Sequence, residues 1–513
     1  MSSSMIGSVV TFAVYFVVMV AVGLLVYKRT TSLSDFVLGG RQLNSWVAGL
    51  SANASDFSGW LLLGLPGAIY LSGLGEAWIA VGLGIGFYAS WRIVAPRLRV
   101  YTERVSDLRN GGESNSLTLS SYLENRFGDH SGLLRGISAI LILVFYLFYV
   151  ASGLLSMGVL FDQVFGWPPA IAVIVGASII VLYTFLGGFL AVSLTDVIQA
   201  AMMWIALLIV PVVAVVTIGG FGTALDTVGD RNENLLSAFG GASLADGSWQ
   251  TTDALGAVVI VSGLAWGIGY LGQPHILARF MGIRSIADIP KARVVSVGWA
   301  VTAMFLAVLV GFSGIAYFDT PIDNPESVFL SLIQALTHPL VAGLLLAAVL
   351  AAVMSTADSQ LLVAAAALTE DGYRAFMDRE APARRLVLVS RLAVIGVAVA
   401  AGLLALYSDE NVLGLVGYAW AGFGAGFGPV IVLSLYWKKM NWIGALGGMI
   451  GGGATAIIWD ILDERVLGTG LYAMVPAVVV SLAAIFILNP LGRATERMGD
   501  DFDVMEREVG AGV

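Results

Sequence analysis

Two short stretches of this sequence place oxygen-bearing side chains where apolar ones would be expected. In the first, Ser51, Asn53, Ser55, Asp56 and Ser58 precede Gly59, Gly64, Pro66 and Gly67. In the second, Ser355, Thr356, Asp358, Ser359 and Gln360 interrupt a run of Ala, Val and Leu. Hydroxyls and carboxylates are hard oxygen ligands, the type that small hard cations take. A lone Ser or Thr in an apolar helix commonly bonds back to its own i−4 carbonyl. That explains any one of these hydroxyls, but it explains poorly a polar run that contains an acid. Thr195, Asp196 and Gln199 open a third apolar stretch, where an acid is also favoured simply by a helix N-terminus. Tyr149, Trp266 and Tyr270 could line a cavity beside these groups, although aromatics one turn apart are as readily explained by packing.

Other chemistries have little support. The chain has no cysteine, which removes disulfides and thiolates, and only His130, His275 and His338 as histidines, too scattered for a His-cluster metal site. No phosphate-binding loop, H-E-x-x-H pair or G-x-S-x-G elbow occurs, so neither ATP-driven pumping nor a familiar hydrolase is indicated, and the chain is not expected to be an enzyme. A formal net charge of −9 disfavours a nucleic-acid partner.

These groups must be positioned by membrane helices. Of the 513 residues, 58% are apolar and 12% charged, with mean hydropathy +0.88, well away from the soluble average of about 25% charged. Thirteen apolar runs approach the roughly 20 residues that cross a bilayer: 5–27, 43–70, 77–91, 136–161, 168–187, 197–219, 254–274, 294–318, 341–367, 387–407, 412–437, 442–459 and 467–488. The first has no basic segment before it and is too long for a signal-peptide core, so it reads as a span. The run 328–336 is too short to cross and reads as an interfacial helix. With an outside N-terminus, 24 of the 26 Lys and Arg residues fall on one side, including Lys28, Arg29, Arg41 and the stretch from Arg279 to Arg293. The other side carries only Arg231 and Arg465 among many acids, the asymmetry expected of a cytoplasmic face opposite an external one. The expected fold is therefore an all-α polytopic membrane protein forming a single domain over 1–513, with segments 96–135 and 221–253 as loops or short amphipathic helices.

The second run carries Asp56 among helix breakers, and the seventh has Gly263, Gly267, Gly269, Gly272 and Pro274 within twelve residues. An unpaired acid at a helix centre costs about 2.5–3.5 kcal/mol. Two interrupted spans placed five apart point to a transporter built from inverted repeats, with its site at the midplane. Close helix packing through small residues explains the glycines alone equally well.

At this point the residues resemble a known family. Leu38-Gly39-Gly40-Arg41, SANASDFSGWLLLGLPGAIY from Ser51, LGGFLAVSLTDVIQ from Leu186, WGIGYLGQPHILARFM from Trp266, LAAVMSTADSQLL from Leu350 and GYAWAGFGAGFGPV from Gly417 are similar to the sodium/solute symporters, most closely those that carry proline. The resemblance covers nearly the whole chain. It implies a five-plus-five inverted-repeat core over about 43–437, with spans 5–27, 442–459 and 467–488 outside it and an acidic cytoplasmic tail over 489–513. It implies that sodium, the co-transported ion, is held by the carbonyls of Ala54, Phe57 and Ala352 and the hydroxyls of Ser355 and Thr356, with Asp56 required for its affinity. Ser58, Trp60, Gly64, Tyr149, Trp266, Tyr270 and Pro274 fall at substrate-related positions and Arg41 at one tied to coupling; Asp196 and Asp358, acids within the apolar runs, are further coupling or gating candidates. The implied activity is sodium-coupled uptake of L-proline through the cell membrane, with no obligatory protein partner. Another small solute remains open within the family. A sensor built on such a module would need an attached signalling segment, and a simple channel would need neither broken helices nor lining aromatics.

Overall fold

A computed structural model describes residues 3–27, 37–104, 116–186 and 189–512; Lys28, Arg29, Arg109 and the Gly187-Gly188 pair lie outside the described residues. The first helix, α1, is Ser3–Tyr27. The second run is split into α2, Ser45–Ala54, an unwound stretch, a π-helical turn at Trp60–Gly64, and α3, Leu65–Ser72. Asn44 starts α2 by accepting from the backbone N–H of Trp46 and Val47, while Gly73, at φ 77°, ends α3. Next come α4 at Ala77–Ala89, α5 at Ala95–Arg104, α6 at Leu119–Phe127, α7 at Leu133–Phe165, α8 at Pro169–Leu186 and α9 at Phe189–Ile218.

The segment after α9 holds a short helix, α10 (Phe221–Arg231), and an antiparallel hairpin of β1 (Gly241–Ala245) and β2 (Ser248–Thr252). The expectation of loops or helices alone is corrected there. Trp249 fixes the hairpin to the bundle by donating its indole N–H to the Tyr70 carbonyl at 2.8 Å. The seventh run is likewise divided: α11 (Ala257–Ala265) passes into a 3-10 segment at Trp266–Leu271, and the chain bends by 42° before α12 (Pro274–Gly282).

The remaining helices are α13 (Ile289–Tyr317), α14 (Val328–Leu336), α15 (Pro339–Ala366, continued by π-helical turns at Ala367–Met377), α16 (Ala383–Tyr407), α17 (Val412–Tyr436), α18 (Trp442–Leu462), α19 (Met474–Leu488) and α20 (Glu496–Gly512). The acidic α20 buries Met498, Phe502 and Met505, and its Asp503 pairs with Lys438 at 2.6 Å.

Among the described residues, ten helices are long and apolar enough to cross a membrane, or eleven with the bent α11/α12 pair. The count of thirteen is not reached on that criterion. One reason is that the second half of the second run and the third run count together as Trp60–Glu103, although Gly73 interrupts the helix between them. Apolar side chains such as Val14, Leu182, Val216 and Phe305 are exposed on the flanks, where lipid rather than water can cover them.

The two broken helices lie side by side in opposite directions. Leu43, before α2, accepts from Arg284 N–H at 2.9 Å and donates to the Gly282 carbonyl at 3.2 Å, so the start of one meets the end of the other. Glycines bring α4 onto the α11 segment so closely that backbone meets backbone. A Cβ on Gly86 would overlap the Gly267 carbonyl, and one on Gly267 the Gly82 carbonyl. Gly267→Ala or Gly86→Ala should therefore abolish correctly assembled protein, because overpacking costs about 1–3 kcal/mol even where side chains can yield, and a carbonyl cannot. Gly84→Ala, whose Cβ would make only ordinary contacts at 3.7 Å with Met304 and Val301, is expected to assemble normally. Monodispersity of the solubilised protein checks both outcomes.

Candidate functional site

Unwinding after Ala54 frees backbone carbonyls in the middle of the bundle, where no water can meet them. The Ala54 carbonyl accepts the hydroxyl of Ser355 at 2.7 Å and that of Thr356 at 3.2 Å, both from α15. Ser355 also donates to the Ala352 carbonyl at 3.1 Å. Four of the sequence-predicted cation ligands, Ala54, Ala352, Ser355 and Thr356, thus gather at one point, and each is at most 2% exposed. Such a knot of carbonyl and hydroxyl oxygens, without a carboxylate, suits a hard monovalent cation. Phe57 lies in the same unwound stretch and anchors it through its ring, 5.4 Å from Trp60 and 5.3 Å from Trp299.

Asp56, fully buried, heads a second group. Tyr270 donates to its carboxylate at 2.7 Å and Tyr149 at 3.4 Å, while the freed Asp56 carbonyl accepts from Trp60 Nε1 at 2.9 Å and Tyr149 at 3.2 Å. His275 Nε2 stands 3.9 Å from the same carboxylate. Three predicted substrate-related residues, Trp60, Tyr149 and Tyr270, therefore converge on Asp56.

Trp266 lies further along. Its ring stacks on Tyr472 at 5.1 Å and on Trp420 at 6.5 Å, and Trp420 donates to its carbonyl at 2.6 Å. It borders a cavity of about 540 Å³ that Tyr418, Glu410 and Asp460 also line. Ser58, Gly64 and Pro274 stand apart from this group. Ser58 accepts from the N–H of Trp60 at 3.4 Å, Gly64 packs against Leu413, and Pro274 lines a separate small cavity with Leu117, Thr118 and Asp371.

A third group surrounds Asp196. The helix carrying it starts at Phe189 rather than at the predicted 197, so Asp196 lies about two turns in, and a helix N-terminus does not account for it. Its Oδ2 accepts from Ser51 at 2.6 Å, Ser55 at 3.1 Å and Arg279 at 3.4 Å. Arg279 also donates to Ser359 at 2.6 Å, and Ser359 bonds Asp358 at 3.3 Å. Arg279 was counted from sequence among exposed loop charges; it is fully buried inside α12. Ser55 and Ser359 are neighbours at 3.1 Å, which links this network to the Ala54 knot one residue away.

Arg41, at φ 55°, enters none of these groups. It donates to the carbonyls of Met281, Thr102 and Ser116 at 2.6–3.1 Å, tying the entry of the first broken helix to the exit of the second and to α5. Nearby, Arg135 joins Glu124, Glu370 and Asp371 in a buried ion cluster. Trp420, His275 and Arg279 were missed as site residues. All three sit in motifs read from sequence, yet only the crossing of α12 and α17 over the break reveals what they face.

Paired broken helices that meet over buried hydroxyls and carboxylates form the architecture of a secondary transporter. The comparisons agree. Residues 36–452 match the model of the Sodium:solute symporter family. The osmoregulated proline transporter OpuE of Bacillus subtilis is 42% identical over 97% of this chain and 98% of its own length. The sodium/proline symporter of Escherichia coli is 45% identical over 94% of this chain and 93% of its own. Among solved structures, an outward-open, substrate-bound Na+-coupled sialic acid symporter superimposes with a TM-score of 0.75, covering 95% of this chain and 98% of that one at 18% identity. The chain belongs to the sodium:solute symporter family, whose members are membrane transporters and not enzymes.

Losing the 2.7 Å bond from Tyr270 to a buried carboxylate should cost about 1.5–3 kcal/mol. Where Asp56 sets sodium affinity, as the family resemblance implies, Tyr270→Phe is expected to raise the sodium KM of transport about tenfold or more. An unchanged sodium KM would show that Asp56 does not depend on Tyr270.

Proposed function

We propose that this chain carries L-proline into the cell together with sodium, by alternating access. The observation that carries the reading is the knot formed by the Ala54 and Ala352 carbonyls with Ser355 and Thr356, set beside Asp56 and its aromatic ring of Trp60, Tyr149 and Tyr270. The names of the relatives, proline transporter and sodium/proline symporter, support the substrate.

In this mechanism the Ser355 and Thr356 hydroxyls, still protonated, turn their lone pairs toward sodium beside the Ala54 and Ala352 carbonyls, with Phe57 completing the shell, and the ion fixes the unwound stretch. Asp56 then holds its aromatic neighbours in position, and proline binds between the two breaks, against Tyr149, Trp266 and Tyr270. Ser58, Gly64 and Pro274 shape the surroundings of that place. Because sodium and proline favour the same geometry, each raises the affinity for the other by the same factor. Rocking of the bundle releases both on the other side, with Arg41, Asp196 and Asp358 coupling the ion to the movement. A membrane potential adds about 2.3 kcal/mol per charge per 100 mV, which lets sodium entry concentrate a zwitterion.

The asymmetry of Lys and Arg along the loops supports the cytoplasmic membrane as the location, with the N-terminus outside and the C-terminus inside. The 540 Å³ cavity at Glu410 and Asp460 then faces outward, and the Arg135 cluster closes the cytoplasmic end. In this reading the transport core spans about 43–437, and α1, α18 and α19 flank it.

Purified protein in proteoliposomes tests the proposal. An inward sodium gradient should drive uptake of labelled proline, and Asp56→Ala and Ser355→Ala should each remove it. Equal uptake in potassium-only buffer would refute sodium coupling, and preferential uptake of pantothenate or a sugar would replace proline as the solute.

A further inference from the structure

The first helix lies outside the broken pair, yet one of its side chains reaches the buried polar network. Tyr15, 5% exposed, accepts the amide Nε2 of Gln199 at 2.7 Å. Gln199 is fully buried and stands one turn beyond Asp196 on α9, the i, i+3 spacing at which Gln and Asp side chains hydrogen-bond on a helix surface. Asp196 uses only Oδ2 for its bonds to Ser51, Ser55 and Arg279. Its Oδ1, like Asp358 Oδ2, has no partner among the described residues.

A free Gln199 amide would satisfy that oxygen, because a buried acceptor without a donor is costly. In the structure the amide turns the other way, to Tyr15. The helix that presents Tyr15 is held firmly: a Cβ on Gly343 of α15 would come within 2.7 Å of Thr11 and 2.8 Å of Gly7. The crevice beside Tyr15 is otherwise lined by apolar side chains such as Val14, Val18, Met19, Ile198 and Met202, and by Thr11, whose hydroxyl bonds the Gly7 and Ser8 carbonyls of its own helix.

We propose that Tyr15 is a positioning residue for ion coupling, holding the Gln199 amide off Asp196 so that the Asp196 carboxylate stays open to the sodium-linked network. The proposal rests on the sodium-coupled reading above. Removing the Tyr15 hydroxyl releases the amide to bond Asp196, which weakens the hold of that carboxylate on Ser51 and Ser55 next to the Ala54 knot and so lowers sodium affinity.

Sodium and proline KM values, measured with kcat in proteoliposomes, test this in Tyr15→Phe, Gln199→Leu and the double variant. Tyr15→Phe should raise the sodium KM about fivefold, leaving kcat and the proline KM at saturating sodium within about twofold. The double variant, which has no amide to release, should return the sodium KM to the wild-type range. An unchanged sodium KM in Tyr15→Phe, a fall in kcat alone, or a double variant no better than Tyr15→Phe would overturn the proposal. Should Tyr15→Phe fail to assemble, Gln199→Leu decides: a sodium KM at or below wild type supports the proposal, and a rise overturns it. Sodium-independent uptake by the wild type would instead remove the sodium-coupled reading itself.

Discussion

A helix that stops halfway through a bilayer leaves carbonyls that neither lipid nor its own next turn can satisfy. At Ala54 that debt is met from a different helix, by two adjacent hydroxyls on α15. The same few bonds fix the position of α2 against α15 and create a place where oxygens already point at one another. A cation arriving there replaces hydrogen bonds with ion–oxygen contacts and keeps the geometry. The demand for satisfied backbone and the capacity to bind an ion are one constraint, and the surrounding structure follows from it.

The break needs support on both sides. Trp60 and Tyr149 cover the freed Asp56 carbonyl, and Tyr270 reaches the Asp56 side chain from the second broken helix. That reach is possible only because the glycines of α4 and the α11 segment allow their backbones to touch. On the other side of Ser55, Arg279 places one positive charge between Asp196, which it pairs directly, and Ser359, through which the buried Asp358 is linked to it. Buried charges persist when paired and hydrogen-bonded, and here the pairing spans three helices that must move relative to one another in a transport cycle.

Much of this was legible in the residues. The polar run around Asp56 and the one at Ser355 announced themselves because side chains of that type are costly in apolar helices. The glycines of the seventh run, closed by Pro274, pointed to its break only in company with the acid of the second run, since close packing explains glycines alone. What stayed hidden depends on tertiary approach. Arg279 looked like a loop charge, since its helix follows a proline and a basic loop follows it; only the fold of α12 under Asp196 shows it to be internal. Asp196 looked terminal because hydropathy rises just after it, while the helix itself begins at Phe189. Trp420 sits in a glycine-rich stretch of α17 whose composition does not say what the ring faces. The hairpin at 241–252 was invisible because its strands are short and one indole, Trp249, anchors it to the bundle.

The central claim is that the Ala54–Ser355–Thr356 knot is where sodium acts on proline. Its most direct test is the affinity of the purified protein for proline, measured with and without sodium, in wild type and in Ser355→Ala. Sodium should tighten proline binding at least about tenfold in the wild type and have no effect in Ser355→Ala, with the two proteins binding proline alike when sodium is absent. Proline binding that ignores sodium in the wild type, or a full sodium effect retained in Ser355→Ala, would contradict the account.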